Sequence, residues 1–403
     1  MMNRFSIRLA AALMAFLFGI TASAAFIATN RVRPEDVPAP PLVDSPQTLK
    51  QSGQSLEMVF VLDTTGSMGG LLEGAKQRIW GIVNEVMQTS SRPSVRIGLV
   101  AYRDRGDAYV TQIVPLTDDL DRVYTTLMDF NADGGGDTPE NVRRALSDGV
   151  HKAGWSRPSG RVAQILFLVG DAPPHDDYQD EPAVEKTVSE AVSRGMIVNT
   201  IQCGQMPQTT PIWQQIARGG EGQYFAIAQD GGVEVVSTPY DSRLSELGSS
   251  LGRTFTAYGG GGGEKGEKHR DDAFAAQAAT ESKVAESAAP TAAADRAINK
   301  ALNSRAYVGD LLQDVENGTL KLDSVKDEDL PADLKKLSAD ERSKEIQKRL
   351  DDRKKMRAEI VALSKQRDEH IATERRKRTG GQGGFDSAVA TALKAQLARK
   401  GIK

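Results

Sequence analysis

Apolar residues in this chain fall into two alternating rhythms. Met58 to Leu62 is an unbroken apolar run, which predicts a strand buried on both faces. Leu71 to Met87 follows with helical spacing, Leu72, Ile79, Ile82, Val83 and Val86 sharing one face. Val95 to Tyr102 predicts a second strand, and Tyr109 to Leu116 a third that can pair with it as a hairpin across Asp104-Arg-Gly-Asp107. Helices are expected over Leu120 to Phe130 and over Pro139 to Ala153, the second opened by its proline. Val162 to Val169, Ile197 to Gln202 and Gln223 to Ile227 read as further strands, separated by helices at Glu181 to Arg194 and Pro211 to Arg218. A helix at Asp241 to Phe255 closes the series. Strands alternating with helices predict an α/β fold over residues 55–258: a doubly wound, mostly parallel sheet with helices on both faces.

The rhythm stops at Tyr258. Five glycines and an alanine-rich, charged stretch predict a flexible or partly helical linker over residues 259–295, because large apolar side chains are almost missing there. Residues 296–403 read as a charged, mostly helical tail. Ser338-Ala-Asp-Glu341 has capping-box spacing, and from Glu341 to Lys377 the residues Ile346, Leu350, Met356, Ile360, Leu363 and Ile371 recur at helical intervals. They keep no strict seven-residue repeat, which favours packing on a neighbouring helix over a long coiled coil. Gly380 to Gly384 end this helix, and Phe385, Val389, Leu393 and Leu397 mark a last short one.

At the other end Arg4 and Arg8 precede the apolar run Leu9 to Ile20, and Ala22-Ser-Ala24 offers a cleavage site, so residues 1–24 have the form of a signal peptide. No charge separates Arg8 from Arg31, so an uncleaved membrane anchor reaching to about residue 30 stays open. Either form places the bulk of the chain outside the cytoplasm. Residues 25–54, with Pro34, Pro38, Pro40, Pro41 and Pro46, predict a linker.

With 39% apolar and 26% charged residues, 403 positions suffice for one large core and something smaller. The net charge of −3 gives no global field toward nucleic acid. Cys203 is the single cysteine, which excludes an internal disulfide and a multi-thiolate zinc site, and its apolar run predicts a core thiol.

The candidate chemistry lies where strands end. Asp63-Thr-Thr65-Gly-Ser67 places a carboxylate and two hydroxyls at alternate positions directly after the first strand. Such hard oxygen donors suit Mg²⁺, Mn²⁺ or Ca²⁺, although the same residue types also make turns and helix caps. Two more loops raise the case, since parallel strands open their carboxyl ends onto one rim. Gly134-Gly-Gly-Asp137-Thr138-Pro139 offers a carboxylate and a hydroxyl, and Gly170-Asp171-Ala-Pro-Pro174 another carboxylate.

Asp63-x-Thr65-x-Ser67, Thr138 in its glycine loop and Asp171 after the fourth long strand resemble the metal-ion-dependent adhesion site of von Willebrand factor type A domains, in the same order. Thr65 stands where serine is more usual and keeps the hydroxyl. The resemblance implies one divalent cation, usually Mg²⁺, with Ser67, Thr65 and Thr138 as hydroxyl ligands and Asp63 and Asp171 holding it directly or through water. It also implies an open coordination position that a partner protein's Asp or Glu can fill. The wider motifs around Asp104, Asp107, Glu140 and His175 look like the bacterial exported branch of that family and a similar domain of some atypical alpha-type kinases, though no kinase domain is visible.

Competing chemistries explain less. A haloacid-dehalogenase-type phosphotransferase would also place Asp63 after its first strand as a nucleophile, with Asp171 and Asp176 on Mg²⁺, but no lysine follows Asp63 and the Thr138 loop then has no role. Gly66-Ser67 is not a nucleophile elbow, and no P-loop is present. Asp104, Asp107, Asp137 and His175 are expected at the rim. Surface charge is the plainer reading of Asp104 and Asp107 against a second cation, and His175 is expected to be a solvated loop residue. Arg105-Gly-Asp107 is treated as a chance tripeptide.

Overall fold

The computed structural model describes residues 53–87, 93–227, 236–303, 305–379 and 385–402. The signal-peptide or anchor stretch, nearly all of the proline-rich linker and Gly380 to Gly384 lie outside the described residues. Among the described residues no helix is long and apolar enough to cross a membrane.

The central sheet has six strands in the order β3-β2-β1-β4-β5-β6: β1 (Ser55–Asp63), β2 (Ser94–Tyr102), β3 (Thr111–Thr117), β4 (Val162–Gly170), β5 (Ile197–Cys203) and β6 (Glu221–Ile227). All pairings are parallel except β2 with β3, the expected hairpin. The chain reverses direction across the sheet between β1 and β4, and a doubly wound sheet opens its binding crevice at such a point. Along β1 the side chains alternate between two cores, because successive residues of a strand face opposite ways. Met58, Phe60 and Leu62 join α1 (Gly69–Met87) and α2 (Leu120–Asp129) on one face. Val59 and Val61 join α3 (Val142–His151), α4 (Val184–Ser193) and α5 (Thr209–Gly219) on the other. Phe60 and Phe167 stack between the central strands with ring centroids 5.2 Å apart. Cys203 is a buried core thiol, as expected.

Helix α3 starts three residues later than the proline suggested. Glu140 is drawn into a short parallel bridge with Pro174, so the first turn waits for Asn141, whose side chain accepts from the Arg144 N–H at 3.0 Å. That small shift leaves the Glu140 side chain at the rim and not on a helix.

The larger correction concerns residues 259–295. Helix α6 (Asp241–Gly252) is followed by α7 (Gly263–Ser287) and α8 (Pro290–Leu302), so most of the expected linker is helical. Scarcity of large apolar residues was the wrong signal, since α8 packs through small ones. Ala293, Ala294 and Ala297 are buried, and Gly248 of α6 approaches so closely that a Cβ there would lie 2.6 Å from that of Ala297. The glycine run is also tied down: Gly259 and Gly261 donate N–H groups to the backbone and side chain of Asp329, at 2.8 and 2.7 Å. A protease-labile join at this point is therefore not what the fold presents.

The tail continues through α9 (Leu311–Glu316), α10 (Ala332–Lys335), α11 (Ala339–Thr379) and α12 (Phe385–Arg399). In α11 the residues Ile346, Arg353, Ile360 and Arg367 are all buried. Arg353 pairs with Asp310 at 2.5 Å, both fully buried, and Arg367 reaches Asp241 and Asp295 at 2.7 and 2.8 Å. A third buried cluster joins α2, α7 and α8, where Arg296 forks onto Asp121 and Glu281 while Lys300 touches the same two carboxylates. Helix α12 packs on α1 and β6, its Val389, Leu393 and Leu397 entering the same core as Phe60. Gln396 and Asn199 exchange amide hydrogen bonds at 2.7 and 3.1 Å beneath it.

Candidate functional site at the strand ends

The site is built from the last residue of β1 and the turn after it. Asp63 is fully buried, and its Oδ1 accepts from Thr65 N–H at 2.9 Å and from the Thr65 hydroxyl at 2.7 Å. Thr65 Oγ1 lies 3.2 Å from Ser67 Oγ, and Ser67 donates to Asp171 Oδ1 at 3.0 Å. The fold thus brings Asp63, Thr65, Ser67 and Asp171 into one chain of oxygen atoms, although Asp171 is 104 residues beyond Ser67. Gly170 permits this approach, because a Cβ there would lie 2.9 Å from Asp63 Oδ2 and 2.5 Å from the Tyr102 hydroxyl. Thr138 sits exposed on the glycine loop, and among the described residues no hydrogen bond joins it to that chain.

Glu140 is a site residue that the search for alternating oxygen donors passed over. It is 2% exposed, and its Oε1 and Thr65 both press against Gly135, where a Cβ would lie 2.9 and 3.2 Å from them. Its place right after the Asp137-Thr138-Pro139 segment was the available signal. Burial, and next the Asp63 and Asp104 carboxylates, push Glu140 up to about 9. Burial and then Asp171 push Asp63 up to about 7, and burial also raises Asp171 against the lowering bond from Ser67. Asp63 Oδ2 and Glu140 Oε2 are buried without a hydrogen-bond partner. Orphaned carboxylate oxygens among hydroxyls, with crowded negative charge, fit a hard divalent cation held by oxygen.

The surrounding loops are braced by side chains expected only at the rim. Asp107 accepts from the Asp104 N–H at 3.0 Å and from the Gly135 N–H at 3.0 and 3.2 Å, so it staples the β2–β3 loop to the glycine loop. Arg105 is occupied by Asp180 and Glu181, both within 3.0 Å, and lies over the Tyr178 ring. Both charged ends of the Arg105-Gly-Asp107 tripeptide are therefore engaged within the fold. Asp104 is 5% exposed and takes the Tyr178 hydroxyl at 2.8 and 3.0 Å, which corrects its reading as surface charge. His175 is likewise no solvated loop residue: it is 7% exposed and stacked on Tyr178 with centroids 4.1 Å apart. Burial alone would lower its pKa, but Asp177, Asp104 and Asp137 outweigh that and raise it. Asp137 stays exposed on the glycine loop, 3.6 Å from the His175 ring.

The staple gives a direct test of the loop. Gly134 has φ 75°, and a Cβ on it would meet Asp107 Oδ1 at 2.4 Å. Gly134→Ala is expected to destabilise the protein by about 1–3 kcal/mol through strain and displacement of Asp107. Thermal melts would read this, and an unchanged midpoint would show that the loop is not fixed by this contact.

A family model described as von Willebrand factor A domain matches residues 57–239. An ariadne-like RING finger protein of Acanthamoeba polyphaga mimivirus is 28% identical over 147 residues, 36% of this chain but only 14% of that protein's length. Among solved structures, the VWA domain of SpRpn10 is similar at 14% identity with a TM-score of 0.34, covering 44% of this chain and 89% of that one. Residues 57–239 are thus identified as a von Willebrand factor A domain.

Proposed function

We propose that the strand-end site makes this chain a divalent-cation-dependent protein-binding module. Asp63, Thr65, Ser67 and Asp171 would hold the ion, with Thr138 swinging in from its exposed loop and Glu140 behind Thr65. A Mg²⁺-type ion bound there supplies an electrophilic centre, and a partner protein's Asp or Glu would complete its coordination. The observation that carries this reading is the pair of buried, unpartnered oxygens, Asp63 Oδ2 and Glu140 Oε2, beside a hydrogen-bonded chain of hydroxyls. Hydroxyl ligands leave more positive charge on the ion than carboxylates would, and this is what an incoming acidic side chain recognises. Arg4, Arg8, the apolar run Leu9 to Ile20 and Ala22-Ser-Ala24 support an exported, bacterial envelope setting for that partner.

Affinity capture from an envelope extract tests it, with Mg²⁺ or with EDTA, using the natural chain and Asp63→Asn in parallel. A partner retained only by the natural chain and only with Mg²⁺ is the expected result. Retention that ignores both chelator and substitution would overturn the proposal.

A further inference from the structure

A second cluster lies on the same rim, built from three loops. Asp104 follows β2, Asp137 belongs to the glycine loop and His175 follows β4. One ligand atom from each lies within 4.8 Å of the others. His175 gives the cluster its direction. Its Nδ1 is 2.8 Å from Asp177 Oδ1, a carboxylate oxygen that accepts the ring N–H. In the neutral imidazole the proton then sits on Nδ1, and the Nε2 lone pair points the other way. Two carboxylates lie beside it: Asp104 Oδ2 at 3.3 Å and Asp137 Oδ1 at 3.6 Å. Yet Nε2 is buried and makes no hydrogen bond.

A lone pair this close to two carboxylate oxygens is repelled by them unless something positive lies between. Donor atoms bound to one ion at about 2.0–2.2 Å stand roughly 3.0–3.6 Å apart, which is the spacing of both carboxylates from Nε2. The outer contacts have the form that accompanies a metal-bound histidine. Asp177 fixes the ring tautomer, and Tyr178 stacks on the ring while donating to Asp104.

We infer that Asp104, Asp137 and His175 form a second metal site, separate from the oxygen site at Asp63. One imidazole and two carboxylates select a transition ion such as Zn²⁺, Mn²⁺ or Co²⁺ over Mg²⁺, which prefers oxygen alone. Its ligands come from the β2–β3 loop, the glycine loop and the β4 loop, so a bound ion ties together the three segments that frame the first site. The assignment does not depend on the adhesion reading, because it rests on other side chains.

Cobalt is the probe. The full chain, stripped by chelator and then saturated with Mg²⁺, is titrated with Co²⁺ while visible absorption is followed, and Zn²⁺ is added afterwards. The expected result is a saturable band that Zn²⁺ abolishes. Asp137→Ala, which alters an exposed side chain and spares the core, should weaken Co²⁺ binding at least about tenfold, and so should His175→Ala. Asp63→Asn should remove Mg²⁺ uptake and leave the cobalt band in place, which separates failure of one site from failure of the other. Absence of any band means a proton bridges Nε2 and the carboxylates, and overturns the site. A band indifferent to both Asp137→Ala and His175→Ala, or lost in Asp63→Asn, overturns it as well.

Discussion

Arg296→Ala is expected to cost the folded chain about 3–5 kcal/mol. Arg296 is 2% exposed and forks onto Asp121 at 2.8 Å through both nitrogens, with Glu281 at 2.8 and 3.0 Å. Removing it leaves two buried carboxylates on a single ammonium, Lys300, in a place where water cannot replace the lost charge. Asp121 shows the strength of the arrangement. Burial raises its pKa, but Arg296 and Lys300 outweigh burial and hold it down at about 2. The folded value lies below the ordinary 3.8, so this contribution is complete above about pH 4 and fades as pH falls through 2. Urea melts of the natural chain and the variant at neutral pH would measure the difference. A loss under about 1 kcal/mol would show that solvent reaches the cluster and that α2, α7 and α8 are held together by apolar packing instead.

Asp63→Asn should separate stability from binding in opposite directions. Asn keeps an oxygen for Thr65 but cannot ionise, and cation affinity is expected to fall at least about 100-fold, or about 2.7 kcal/mol. Without the ion, the natural Asp63 is a liability. Its folded pKa of about 7 exceeds the ordinary 3.8, so the folded state holds a proton that the unfolded chain releases between those values. Stability of the metal-free protein therefore falls as pH rises through that window, by up to about 4 kcal/mol. At pH 8 in EDTA the Asn variant should melt higher than the natural protein; with Mg²⁺ the order should reverse. Unchanged Mg²⁺ uptake by calorimetry would remove Asp63 from the site.

The α/β half was legible because its buried strands, β1 and β4, carry long apolar runs, broken in β4 only by Gln164, that a sheet covered on both faces explains. Asp63, Thr65, Ser67 and Asp171 were legible for a related reason, since polar oxygen directly after such a run must lie on the crevice rim. The tail was harder to read, and α11 shows why. Ile346, Arg353, Ile360 and Arg367 are seven residues apart and all buried, but two of them are arginines neutralised by Asp310, Asp241 and Asp295. A search for apolar residues sees only half of that seam. The packing of residues 259–295 is hidden similarly, because alanine against glycine leaves no large side chain to notice. Glu140 and His175 look like ordinary loop residues until a short bridge between residues 140 and 174 carries them inward.

Helix α12 fills a layer of the core that the preceding strands leave open, and it is made long after β6. At roughly 5–20 residues per second, on the order of 10–30 s pass between the emergence of β6 and that of Leu397. Throughout that interval α1 packs on the sheet and on α8, and the part of it that meets α12 has nothing to close against. Completion of that side of the core is thus timed by the tail.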